Sequence, residues 1–218
     1  MGTPPPVVAS FRVAATDTRY RGRPGRALGV LALVALLAAA CGSSVPTTLR
    51  GSPSSYLISL DQLTSPDFTV YEAAAAVGAG WLDQASSSAV RADGMLRAAE
   101  VEYYRDVAFS TSNGPITLTA AVAAFATSVG ASAAMVRLAS ALDARPGAVP
   151  VSTGTLGDGG HATSTQATFE GVGALQLIVV WRVDNLVNSL VAEGRLGGLQ
   201  LDQLLPLASI QTANERAG

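Results

Sequence analysis

The chain has 218 residues and a formal net charge of −2; it carries arginine but no lysine, one cysteine and one histidine. A lone cysteine excludes an internal disulfide, and arginines scattered along the chain exclude the clustered basic face with which a nucleic-acid binder displaces counterions. The alanine- and glycine-rich, lysine-free composition reads as the coding bias of a GC-rich genome.

Residues 1–20, with Pro4-Pro5-Pro6, carry no folding pattern and read either as a long leader or as sequence ahead of the true start. Arg21, Arg23 and Arg26 then form a positive flank, and Ala27 to Ala40 is an uncharged apolar run. That run has signal-peptide length and falls short of the roughly 20 apolar residues of a membrane-spanning helix. Past Cys41 the chain turns polar with Gly42, Ser43 and Ser44. The stretch Leu37-Ala38-Ala39-Ala40-Cys41 resembles the lipobox of bacterial lipoproteins, with its leucine one place further from the cysteine than in the commonest pattern. The resemblance implies that residues 1–40 are leader and signal peptide and that the Cys41 thiol takes a diacylglyceryl group. The mature protein is then lipid-anchored on the extracytoplasmic face of the cell membrane, with more than one acyl chain to hold it. The alternative is that Cys41 is an ordinary small residue of a signal peptide cut elsewhere, or of a short anchor that stays attached. After a cut at Cys41, nine arginines (14 minus the five before it) face fifteen acids (16 minus Asp17), so the mature domain is acidic, at −6.

Residues 41–55 are rich in serine, proline, glycine and threonine and read as a flexible tether; residues 56–218 read as one domain of ordinary size. Tyr56 to Leu63 is a short strand or a turn of helix, and Phe68 to Tyr71 a strand. Ala73 to Val90 reads as helical in parts, and a helix over 88–93 ends at Gly94. Two-residue alternation from Met95 through to Phe109 marks a strand, with Tyr103 and Tyr104 on opposite faces, so that one ring is core and the other surface. Ser112-Asn113-Gly114-Pro115 is a turn, and Ile116 to Ala121 the returning strand. The spacing of Phe125, Val129, Ala133, Val136, Ser140 and Ala141 predicts the best helix, over 123–142, with Gly130 in its middle. Val149 to Leu156 is loop or short strand, and Gly157-Asp158-Gly159-Gly160 a turn. Three strands follow, over 161–170, 175–183 and 186–192; the continuous apolar run around Trp181 predicts a central strand buried on both faces. A last helix starts near Leu201 and turns Leu204, Leu205, Ala208 and Ile210 inward, with Pro206 tolerated in its first turn. The pattern is α+β: an antiparallel sheet of five to six strands with helices packed on it. This order of elements, with the Leu156-Gly157-Asp158 turn, resembles uncharacterised secreted lipoproteins of GC-rich bacteria, some likened to the PsbP or Mog1 sandwich. The resemblance implies no catalytic residue.

The chemistry-bearing residues are few. His161 is the lone histidine and reads as a solvated side chain at the start of a strand. No Gly-x-Ser-x-Gly elbow is present, and the 157–160 turn lacks the lysine that a phosphate loop needs. Glu100, Glu102 and Asp106 share one face of a strand and form either a solvated acidic face, an acidic patch or a weak calcium site. No cofactor is implied and no catalytic constellation is formed. The expectation is a non-catalytic binding or interaction module of the cell envelope, which binds either an envelope protein or a small molecule. The alternative is a carrier of a small apolar ligand or lipid in a cavity between the helices and the sheet face bearing Leu175, Leu177, Val179 and Trp181. An enzyme would have to work with carboxylates alone.

Overall fold

The computed structural model describes residues 51–217; Cys41 and the leader lie outside the described residues. Seven strands form one antiparallel sheet: β1 (Phe68–Val77), β2 (Met95–Arg105), β3 (Thr117–Phe125), β4 (Ala148–Val151), β5 (Gly160–Phe169), β6 (Val172–Val183) and β7 (Leu186–Arg195), in the spatial order β1-β2-β3-β7-β6-β5-β4. Four helices accompany them: α1 (Pro53–Tyr56), α2 (Ser87–Ala92), α3 (Ser128–Asp143) and α4 (Leu205–Ala217). The predicted α+β class and antiparallel sheet hold, with seven strands in place of five to six. After β3 the chain crosses one face of the sheet as α3, starts the far edge as β4, and returns by two hairpins to pair β7 with β3.

Each face of the sheet carries its own core. On the first, α1 and α4 cover Tyr103, Leu118, Val122, Val179, Trp181, Leu186 and Leu190. On the second, α2 and α3 cover Ala98, Ala123, Ile178, Val180 and Val187. Successive residues of β6 serve the two cores in turn, which is why this strand is apolar without alternation, as its sequence predicts.

Several elements differ from the sequence expectation, each for a tertiary reason. The alanine run Ala73–Ala76 belongs to the edge strand β1, where pairing with β2 overrides the helix propensity of alanine. Two register shifts along β1 bend this edge and interrupt its hydrogen-bond ladder, a device that discourages pairing with other chains. Helix α3 starts later than 123, because Ala123, Ala124 and Phe125 continue β3. Its inward face is made by Ala131, Ala134, Leu138 and Leu142, while Val129 and Val136, of the spacing that predicted the helix, are 77% and 66% exposed. Helix α1 begins within the stretch read as tether, with Pro53 in its first turn and the Tyr56 side chain, 1% exposed, closing the core beneath it. The last helix starts at Leu205 and not near Leu201, which opens a 3-10 turn. Leu204 is buried just ahead of α4 and Ala208 on its inward face as expected, but Leu207, Gln211, Thr212 and Glu215 complete that face, and Leu205 and Ile210 are only partly buried at its margin. Pro206 lies in the first turn, where its missing N–H has no helical partner to lose. Gly94, with φ +91°, ends α2 as predicted.

Candidate functional site

The buried cluster under α2 and α3 covers only part of its face of the sheet. The part nearer Tyr104 stays half-exposed: Glu100, Glu102 and Tyr104 of β2, Thr117 and Thr119 of β3, Gln176 of β6 and Glu193 of β7 are all intermediate in exposure, and Glu72 of β1 is exposed. Registers bring these residues together. Glu72 and Glu102 are direct cross-strand partners, Glu102 pairs with Thr119, Tyr104 with Thr117, and Thr117 in turn with Glu193. Like charges placed opposite one another on a sheet repel and cost stability.

Four glutamates thus share one open patch. Gln176 Nε2 donates to Glu193 Oε1 at 2.8 Å. Among the described residues the ion pairs are made by Asp67, Asp93, Asp143 and Asp158, and none by these four glutamates. Partial burial first, then the charge of Glu72, holds the Glu100 carboxyl above its usual pKa. Glu102 is raised in the same way, by burial and then by Glu72, Glu100 and Glu193. The patch therefore carries unfavourable electrostatics that a cation would relieve. At its edge the exposed Tyr71 ring leans on Tyr104, centroids 6.3 Å apart. Its partner in sequence, Tyr103, is core, as the alternation predicts, and its hydroxyl donates to the Ile58 carbonyl.

Of the predicted acidic set, Glu100 and Glu102 share the face, whereas Asp106 lies past the end of β2 and is exposed. Glu72 and Glu193 take its place. No group of three or more His, Cys, Asp or Glu side chains among the described residues has the arrangement of a metal site. Sequence spacing missed Glu72 and Glu193 because they stand on other strands, and only register sets them beside β2.

His161 is not simply solvated: its Nε2 meets Asp143 Oδ1 at 2.8 Å, tying the start of β5 to the end of α3. In the glycine-rich turn, Asp158 pairs with Arg182 at 3.3 Å and accepts from the Asp184 backbone N–H at 2.7 Å, so this segment closes against the β6–β7 turn. Leu177, Val179 and Trp181 belong to the packed core, with Leu175 at its margin. An open groove of about 620 Å³ lies at the edge of that core, lined by Thr155, Leu156, Gly157, Ser209, Ala213 and Arg216 among others. No helix among the described residues is long and apolar enough to cross a membrane.

No protein-family model matches the chain, and no curated protein does either. Among solved structures, the extracellular domain of PknH from Mycobacterium tuberculosis is similar, with a TM-score of 0.50 and 15% identity over 76% of this chain and 95% of that one. At this identity the likeness is one of fold. These comparisons lend no support to a PsbP or Mog1 likeness.

Proposed function

We propose that the protein is an extracytoplasmic, non-catalytic binding module, held at the cell membrane through lipid on Cys41, which engages a cationic segment of an envelope protein with the open part of its sheet. The observation that carries this reading is the set of four glutamates on a half-exposed sheet face with no cation paired to them among the described residues. The acidic balance of the chain after Cys41 favours the same partner chemistry, and the similar fold in PknH serves there as an extracellular domain.

Two measurements test it. In the native host, Cys41→Ala is expected to release the protein from the membrane fraction; retention would remove the anchor from the reading. Titration of the mature protein with a fluorescent arginine-rich peptide is expected to show saturable, salt-sensitive binding. Glu100→Gln/Glu102→Gln should weaken that binding about tenfold, since two charge contacts together are worth roughly 1–2 kcal/mol. The same double variant should melt above the wild-type protein, because it relieves repulsion between partly buried carboxylates. Binding unchanged in this variant would sink the sheet-face assignment. A second reading, a carrier of a small apolar ligand, draws on the groove beside α4 with Leu156 and Ala213 in its wall. Native mass spectrometry of protein purified gently from its host separates the two: a co-purifying small-molecule mass favours the carrier.

A further inference from the structure

Helix α4 buries a polar cluster against the middle of the sheet. Asn188 on β7 and Gln211 and Glu215 on α4 are each 0% exposed. Gln211 Nε2 donates to the Ala121 carbonyl at 3.2 Å and to Asn188 Oδ1 at 2.9 Å. Beside them, Trp181 Nε1 donates to Thr212 Oγ1 at 3.0 Å. Asn188 Nδ2, Gln211 Oε1 and both carboxylate oxygens of Glu215 are left without a hydrogen-bond partner. Gln211 and Glu215 stand one helical turn apart on the same face, and Asn188 is close to both.

The inventory of orphaned atoms has a chemical solution. An ionised carboxylate only accepts, so it would leave Gln211 Oε1 without a donor and set an unpaired charge in the core. A neutral carboxyl offers one donor and one acceptor, matching the vacancies on Gln211 and Asn188. We propose that Glu215 is held as the neutral acid, donating to Gln211 Oε1 and accepting from Asn188 Nδ2, so that the seating of α4 on the sheet is linked to one proton. This inference is independent of the binding role proposed for the acidic face.

The surroundings agree. Burial is the largest influence and pushes the Glu215 carboxyl up to about 8; Asn188 and then Arg216 pull it back, while Asp158 in the loop before β5 and Asp184 in the β6–β7 turn push it further up. Arg182 on β6 is engaged by Asp158 at 3.3 Å. The unfolded chain releases the same proton near 4.5. The stabilisation is therefore full below that pH and is lost as pH rises from 4.5 towards 8, where the folded protein ionises too.

Equilibrium urea unfolding of the mature protein and of Glu215→Gln, from about pH 4 to about pH 9, tests the proposal. The glutamine offers both a donor and an acceptor and does not titrate. The expected result is that wild-type stability falls relative to the variant across this interval, with a slope approaching one proton, and that the variant is the more stable at neutral pH. Parallel profiles would overturn it. Infrared spectra of the folded Glu100→Gln/Glu102→Gln protein supply a readout that does not depend on the Glu215 variant folding. A protonated-carboxyl carbonyl band at neutral pH, lost at higher pH, is expected; an ionised carboxylate signature alone at neutral pH refutes the proposal.

Discussion

Trp181→Ala is expected to destabilise the domain by about 4 kcal/mol, the range measured for emptying a large aromatic site in a packed core. Trp181 is 0% exposed on β6, a strand paired on both sides by β5 and β7. Its ring belongs to the core that α4 covers, together with Leu156, Leu204 and Ala208. Its Nε1–H ends on Thr212 Oγ1, so the side chain joins the sheet to the last turns of α4 both by packing and by a hydrogen bond. Truncation opens a cavity between these layers, and backbone pairing on both sides of β6 limits how far the site can collapse. Against a total stability of about 5–15 kcal/mol for a domain, the loss is a large fraction. Urea denaturation with an unchanged slope would report it cleanly. Trp181→Phe, which keeps much of the ring and loses the donor, should cost about half as much. A loss under about 1 kcal/mol for the alanine variant would mean that α4 is not seated on β6.

Gly130→Ala should destabilise by about 2 kcal/mol, against the direction that helix propensity predicts. In an exposed helix interior this exchange gains about 1 kcal/mol. Here Gly130 lies in the first turn of α3, where a Cβ would come within 2.0 Å of the Asp93 carbonyl oxygen. That oxygen is backbone and cannot swing aside. The two segments are also tied from outside, because Arg137 Nε donates to Asp93 Oδ2 at 3.1 Å, and Thr127 Oγ1 caps the helix by accepting from Gly130 N at 3.0 Å. Relieving the overlap means shifting α3 away from the loop after α2, and overpacking of this kind outweighs the propensity gain. Thermal melts of Gly130→Ala beside Gly78→Ala decide the matter, since at Gly78 an added Cβ meets nothing within 4 Å and the exchange should be near neutral. Equal melting of the two variants would contradict the close approach.

Both variants touch the framework on which the open acidic patch depends. Trp181 holds α4 to one face, and α3 covers part of the other, leaving the rest of that face to Glu72, Glu100, Glu102 and Glu193. The extent of this open acidic patch is thus set by where the helices stop.

How much of this was legible in the residues depends on the range over which each feature is decided. Alternation along β2, the double-sided apolar run of β6 and the turns at Gly94 and at 157–160 are local properties, encoded by pleat, propensity and backbone freedom within a few residues, and the structure agrees with them. The last helix begins at Leu205, after a 3-10 turn over Leu201–Gln203, and not near Leu201. The lipobox-like resemblance around Cys41 is likewise a local pattern, and it lies outside the described residues. The alanines of β1 suggest a helix because alanine is a strong helix former, and only pairing with β2 holds them extended. Helical spacing alone does not say which face of α3 turns inward; the close seat beside Asp93 and the sheet admits Ala131 and Ala134 and turns Val129 and Val136 outward. Of the acidic patch, sequence supplied Glu100 and Glu102, since two-residue spacing puts both on one face of a strand. Glu72 and Glu193 joined them through registers β1–β2 and β3–β7, and the neutral Glu215 proposed beneath α4 rests on a stripe of helix that reads as polar until the sheet covers it. Tertiary structure decided these because strand pairing and layer contact are set by the summed burial of distant segments, which no short window of residues contains.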